Sequence, residues 1–355
     1  MAAIAFPSGR RRMAALCVVL TVGGCSGAWP EETRAGCRSF TLTVEGTGET
    51  VRGPEDLVWD PVSRHLLVSA DPRGRDGRPG LYSVAIDTLR TAADKLRLTP
   101  VADVREPHGI GLDVERRELA VVDHVDEDGQ GGAAIRRFTV GADGKLTDAG
   151  IYGRVRNAND VVPDGRGGVY VTQDHAGTGL AGAWELMTSQ KRAAIHRLPV
   201  PDAGGEATVV RGGLYFANGI TRDGDRLYVS EMRAERVLVY DGALSGTLSP
   251  AGEIPLPGQP DNLNLDEDGG HLLAAVLPEP FVLFLALKGL LDADHIASAA
   301  VGMALPTGEA HTLFGDPDGE TVSAATAVEA ADGLLVLGSV VAPTLAVCPL
   351  PPVSR

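Results

Sequence analysis

The sequence predicts an all-β chain folded as a six-bladed β-propeller around a central tunnel, closed by a disulfide between its ends. Three observations predict it. One short motif recurs six times. Between its copies lie β-rich runs and turns, with 45 Gly and 23 Pro and no long helix-period stretch. A cysteine stands near each end of the mature domain.

The chain begins with a targeting segment. Arg10, Arg11 and Arg12 form a basic region before the apolar residues 13–22, and Gly23 and Gly24 precede Cys25. That apolar run is far short of the roughly 20 residues a spanning helix needs. Val22-Gly23-Gly24-Cys25 resembles a bacterial lipoprotein box, with Cys25 lipidated as the first mature residue, and the paired arginines resemble a twin-arginine signal. Residues 1–25 are thus read as an export signal, 26–36 as a linker, 37–350 as the propeller and 351–355 as a tail. The expected location is the bacterial periplasm or cell surface, with Cys25 offering membrane attachment, or else the medium. Cys17 falls inside the signal, leaving Cys37 and Cys348. An oxidising compartment lets them pair. A bridge around so large a loop stabilises by roughly 5 kcal/mol in the chain-entropy model; the alternative is two unpaired thiols.

With 32 basic and 47 acidic residues, the formal charge of −15 argues against a nucleic-acid partner. It fits either a solvated acidic surface or a protein that gathers cations.

The six copies are EDLVWDPVSRHLLVSA from Glu55, HGIGLDVERRELAVVD from His108, NDVVPDGRGGVYVTQD from Asn159, NGITRDGDRLYVSE from Asn218, DNLNLDEDGGHLLAAV from Asp261 and TAVEAADGLLVLGS from Thr326. In the first five an aspartate follows five residues on, at Asp60, Asp113, Asp164, Asp223 and Asp266. The copies start 43 to 65 residues apart, near the roughly 40 to 50 of propeller repeats with four strands per blade. Further strand candidates lie between copies: GLYSVAI (80–86), AAIRRFTV (133–140) and RVLVYD (236–241). A pair of β-sandwiches would not produce a sixfold recurrence.

In a propeller, equivalent positions form a ring about the channel. Here they hold Glu55, His108, Asn159, Asn218, Asp261 and Thr326, all polar. Such residues also cap strand entries. Read as a ring, Glu55, Asn159, Asn218, Asp261 and the adjacent Asn262 offer five oxygens and two negative charges. That set suits calcium, which prefers six to eight oxygen ligands, better than magnesium, which keeps more water. Zinc is disfavoured without a Cys/His cluster at ligand spacing. Neighbours in extended chain point oppositely, so Asp56 and Asp160 are expected to reach a second ion deeper in the channel, or else to sit in surface turns.

Residues 107–124, PHGIGLDVERRELAVVDH, read as a hairpin with a charged tip. Centred on Arg116, antiparallel pairing sets His108 opposite His124, with Cβ atoms roughly 5 Å apart. His124 would then fix the tautomer of His108 and share its proton, making His108 a general base near neutral pH. His175 follows Asn159 by the interval that separates His124 from His108, so it too is expected at this end of the tunnel.

GPEDL (53–57), PHGIGL (107–112), VVDHVD (121–126), NAND (157–160), TQDH (172–175), FANGI (216–220), PDNL (260–263) and VSAAT (322–326) occur in an order that resembles the serum paraoxonase/arylesterase family of calcium-dependent lactonases. The resemblance implies a six-bladed propeller with two calcium ions. It assigns the catalytic ion to Glu55, Asn159, Asn218, Asp261 and Asn262, and the structural ion to Asp56, Asp160 and the backbone carbonyl of Ile110. It makes His108 and His124 the dyad and Cys37–Cys348 the terminal disulfide. It places His175, Phe216, Leu277 and Thr326 along the substrate wall or just behind it. The chain departs from the family at Leu277, where a histidine stands before the proline, and in SADPRGRDG (69–77), which lacks a Lys-Tyr pair. Val341, Ala342 and Pro343 replace aromatic residues. Residues 180–194 are too short and mixed for the docking helix of animal members, so lipoprotein-particle binding is not carried over.

The implied activity is hydrolysis of a small-molecule lactone or related ester, with calcium polarising the carbonyl and the His dyad activating water; Asp261 or Glu55 is the alternative base. The rivals are a gluconolactonase-like or strictosidine-synthase-like propeller with another substrate, and a non-catalytic calcium-stabilised binding propeller. Oligomeric state is not readable.

Overall fold

A computed structural model of the chain describes residues 29–125, 132–178, 182, 184–185, 188, 190–201, 206–305 and 308–351. The segment expected to be an export signal, Cys17, the lipidation candidate Cys25, Asp126 and most of the tail lie outside the described residues.

The β-rich runs form strands grouped by fours. After β1 (Arg38–Val44) come β2 (Pro54–Asp60), β3 (His65–Ala70), β4 (Gly80–Ala85), the short helix α1 (Ile86–Thr91) and β5 (Lys95–Ala102). The next group is β6 (Pro107–Asp113), β7 (Glu118–Asp123), β8 (Ala133–Val140) and β9 (Leu146–Val155). Then follow β10 (Ala158–Pro163), β11 (Val169–Gln173), β12 (Ala193–Leu198) and β13 (Thr208–Leu214), and after them β14 (Ala217–Asp223), β15 (Arg226–Glu231), β16 (Arg236–Asp241) and β17 (Ser249–Pro255). A fifth group holds β18 (Gln259–Leu265), β19 (His271–Leu277), helix α2 (Pro280–Leu287), β20 (Ser298–Ala304) and β21 (Glu309–Asp316). The chain ends with β22 (Ala325–Ala331), β23 (Leu334–Ser339) and β24 (Thr344–Pro349).

Each of the middle four groups is a four-stranded meander. The first and last groups join through β1, which pairs antiparallel with β24 and parallel with β5, giving one eight-stranded sheet. Cys37, just before β1, is disulfide-bonded to Cys348 in β24, so the bridge staples the strand that joins the chain's ends. First strands pack on first strands: β2 on β6, β6 on β10, β10 on β14, β14 on β18, β18 on β22, and β22 back on β2. The arrangement is propeller-like, with these six strands innermost.

Sequence pattern follows from this packing. Second strands such as β3 (HLLVSA) and β7 (ELAVVD) are buried on both faces and carry nearly unbroken apolar runs. Outer strands such as β5 (KLRLTPVA) alternate buried and exposed residues over their first half. The core is a series of apolar layers between neighbouring sheets: Leu67, Ile110, Val121 and Phe138 form one, Val122, Val161 and Val171 the next, Tyr228, Leu263 and Met303 a third. Four of the repeated aspartates, Asp60, Asp113, Asp164 and Asp266, brace the hairpin turns. Asp60 accepts from Val62 N–H, Ser63 and Arg117, and Asp164 accepts from the N–H groups of Arg166 and Gly168 and from Arg197.

Candidate functional site

Every first-to-second strand pairing shifts register at one place, and each shift contains a ring residue. The shifts fall at 54–56, 107–110, 158–161, 217–220, 260–263 and 325–327. Glu55, His108, Asn159, Asn218, Asp261 and Thr326 therefore sit at bulges or equivalent irregularities, where a strand bends and re-aims a side chain. All six are buried, none more than 7% exposed.

The bulge corrects the hairpin expected at residues 107–124. Asp113 pairs with Glu118 and Ile110 with Val121, so the turn is centred between Glu115 and Arg116; beyond the shift Pro107 faces Asp123, and His124 N–H donates to the Glu106 carbonyl. His108 is thus not opposite His124. The two rings still meet, edge to face with centroids 5.1 Å apart, because the bulge turns His108 toward the strand end. No hydrogen bond joins them. Instead Arg73, from the loop after β3, donates to His108 Nδ1 at 2.9 Å, which leaves the ring proton of a neutral His108 on Nε2.

Beside His108 the oxygens converge. Glu55 Oε2 lies 3.2 Å from His108 Nδ1 without hydrogen-bond alignment. Asn262 donates to the Glu55 carbonyl at 2.9 Å and lies 3.4 Å from Glu55 Oε1, and Asn218 bonds the Asp261 side chain. Thr326, 2% exposed, donates to the same Glu55 carbonyl, so it steadies the backbone of Glu55. Four oxygens of this set are buried with no hydrogen-bond partner: Glu55 Oε2, Asn159 Oδ1, Asn218 Oδ1 and Asn262 Oδ1. Leaving such a group unpaired costs about 1–3 kcal/mol each, and four together mark a place built for something else to meet them.

Deeper in the channel, Asp56 Oδ2 accepts from Ile110 N–H and Asp160 Oδ2 from Ile220 N–H, each at 2.8 Å and each across to the neighbouring sheet. Burial pushes all four central carboxyls up. Glu55 rises to about 8 by burial, with Arg73 opposing and the charges of Asp261 and Asp160 adding. Asp261 and Asp160 rise to about 7, and Asp56 well above the carboxylate range through burial and then its neighbours Asp160 and Glu55. Burial, then Arg73 and His124, hold His108 well below the usual imidazole range; His124 is also lowered, though its outer edge is exposed. Among the described residues no three His, Cys, Asp or Glu side chains have the spacing of a metal centre; the converging donors here are largely amides.

The remaining wall candidates are spread. His175 is half-buried and ion-paired to Asp174, which raises it. Phe216 has a left-handed backbone (φ 59°) and lies under the Arg233 guanidinium, 6.0 Å away. Leu277, 1% exposed, is packed with Leu283, Ala286 and Val341 beneath α2. A cavity of about 530 Å³ opens from the other side of the channel, lined by Asp56, Asp160, Ile110, Asn264 and Glu329 rather than by His108.

Comparison with known proteins places the chain in a family. The arylesterase family model matches residues 75–348, most of the chain. The chain belongs to the arylesterase family. Human serum paraoxonase/arylesterase 1 is 29% identical over 131 residues, and the rat protein 28% over 129. These stretches cover 36% of this chain and 36% and 35% of the relatives, so the chain matches about a third of their length. A gluconolactonase of Xanthomonas campestris shares the fold, with a TM-score of 0.56, 20% identity, and 89% and 90% of the two chains covered. A Bacteroides thetaiotaomicron protein of unknown function aligns with a TM-score of 0.55 at 9% identity over 89% of this chain and 76% of its own.

Two residues of this arylesterase-family chain stand at the candidate site beyond those the sequence pointed to. Arg73 lies in SADPRGRDG, where the missing Lys-Tyr pair was the available signal. Glu329 stands three residues after Thr326, in register with Asn264, so a second, deeper ring position was legible in two copies of the repeat. It accepts from Trp59 and Ala330 N–H, and burial lifts it to about 8.

Proposed function

We propose that the chain is an exported, calcium-dependent hydrolase of lactones or related esters. The observation that supports it most is the set of four buried oxygens without donors, from Glu55, Asn159, Asn218 and Asn262. A hard cation satisfies such oxygens and also the raised carboxyls beside them. Glu55, Asn159, Asn218, Asp261 and Asn262 would hold the catalytic calcium; Asp56, Asp160 and the Ile110 carbonyl would hold a structural one. Counting the eight-stranded sheet as two blades sharing β1 makes the fold a six-bladed propeller, with the ions in its tunnel.

Calcium at this site supplies positive charge that polarises a carbonyl and steadies the negative charge growing on its oxygen. His108 takes a proton from the attacking water through Nδ1, and its edge contact with His124 holds the ring in place. Arg73 must withdraw from that nitrogen first. This same bond supports a second reading, in which Asp261 or Glu55 is the base. His175 and Phe216 contribute to the substrate wall, and the buried Thr326 and Leu277 support it from behind. The disulfide supports an oxidising location and hence the export signal, with Cys25 as a lipid anchor.

A chelator should abolish turnover of γ- and δ-lactones and added calcium should restore it. Full activity in EDTA, with no calcium in the protein, would reject the proposal. Testing phenyl acetate and a phosphotriester alongside separates lactonase from arylesterase action, and no turnover of any ester would leave a binding propeller.

A further inference from the structure

Three arginines gather around the mouth of the site without a carboxylate partner. Arg52, Arg73 and Arg75 take part in no ion pair among the described residues, in a chain of net charge −15, whereas Arg78 at the end of the same loop pairs with Glu49. Arg52 donates to the carbonyls of Asp76 and Val341, Arg73 to His108 Nδ1, and Arg75 to the Ala286 carbonyl of α2. Arg73 and Arg75 share one short loop, and the charges of Arg52 and Arg73 bear on Arg75 more than the opposing charge of Asp294 does, while Arg73 also acts on the buried Glu55 and Asp261 without pairing with either. One terminal nitrogen of Arg75 is buried with nothing to donate to. The loop is built to hold this arrangement: Arg73 has a left-handed backbone (φ 50°) and its N–H donates to Asp71, while Gly77 lets the loop run against Arg52, whose Cβ would be 2.9 Å from an added side chain.

Gathering like charges is unfavourable unless an anion shares them, and a guanidinium fork fits a carboxylate in particular. We propose that Arg73 and Arg75, with Arg52 behind them, form a subsite for a carboxylate group on the substrate, which is therefore an anionic lactone or ester. The substrate part of this rests on the hydrolase reading above; the anion subsite does not. A carboxylate seated there also draws Arg73 away from His108 Nδ1, so a charged substrate uncovers the base more readily than a neutral one.

The test compares a neutral γ-butyrolactone with the same ring bearing a carboxylate, using the calcium-loaded protein. The expected kcat/KM ratio favours the charged ring by about 10- to 100-fold, the worth of a charge-assisted pair. In Arg75→Met that ratio should fall at least about tenfold, chiefly through KM; in Arg73→Met it should fall as far, partly because the base is then uncovered for the neutral ring too, and Arg73→Lys should recover part of it because charge returns without the fork. Calorimetric titration with glutarate reads the same subsite without turnover, and its affinity should fall in both Met variants. Turnover of the neutral ring with no charge preference overturns the carboxylate subsite and leaves the hydrolase. Turnover of neither ring, with glutarate still bound through the arginines, overturns the hydrolase and leaves the subsite. Glutarate binding that is absent, or indifferent to both substitutions, overturns the subsite whatever the kinetics.

Discussion

Asp56 on β2 reaches across to the next sheet and accepts a hydrogen bond from Ile110 N–H at 2.8 Å, and Asp160 does the same to Ile220. The glycine before each isoleucine lets the same strand press on the next one round the ring. A Cβ on Gly109 would stand 2.3 Å from Asp160 Oδ1 and 2.4 Å from its Cα, and one on Gly219 2.5 Å from the Asp261 carbonyl. Gly109→Ala must push the inner strands apart, as overpacked sites do at about 1–3 kcal/mol. Urea unfolding should show that loss, with weaker calcium binding alongside; an unchanged midpoint would mean the ring yields freely.

The raised carboxyls predict how the metal-free protein responds to pH. Glu55 at about 8 and Asp160 and Asp261 at about 7 bind protons more tightly folded than unfolded. Their contribution is full below the unfolded values near 4 and is lost as pH rises through 7 to 8. In EDTA the thermal midpoint should therefore fall across that window. Saturating calcium should remove the fall, since the ion takes over from the protons. A midpoint in EDTA that climbs from pH 5 to 8 would contradict it.

His108→Gln should reduce turnover by about 100-fold or more, the usual worth of a general base, while calcium content stays at the wild-type level. His124→Gln, which removes only an edge contact, should cost less. Wild-type rates in His108→Gln would hand the base to Asp261 or Glu55.

Removing the bridge tests the closure. Cys348→Ser should lower stability by about 2–5 kcal/mol in denaturant, and reductant should bring the wild type down to the variant. Equal stability with and without reductant would show that β1 holds without it.

Labelling cells with radioactive palmitate should mark the wild type and not Cys25→Ala. Label in neither would leave soluble export.

Much of this could be read from the repeats. Polar residues at six equivalent starts are where strands bend inward, and the aspartates five residues on are turn braces, so fold and oxygen set share one signal. The contact of His108 with His124 was anticipated for the wrong reason. One-to-one pairing has no place for the extra residue of a bulge, and that residue is what brings the rings together. Arg73 was invisible because the loop after β3 is irregular and its side chain travels across sheets. Glu329 stands three residues beyond its ring position, at the offset of Asn264, where the other copies hold apolar or unrelated residues and the pattern is faint.

The seam at β1 has a consequence for how the molecule is made. This strand is among the first to be synthesised, yet its antiparallel mate β24 is among the last. Until that mate arrives it has only β5 to lie against, in parallel. A chain exported unfolded would thus cross the membrane almost whole before its circle could shut, and an oxidant on the far side, acting on Cys37 and Cys348, would then lock the seam.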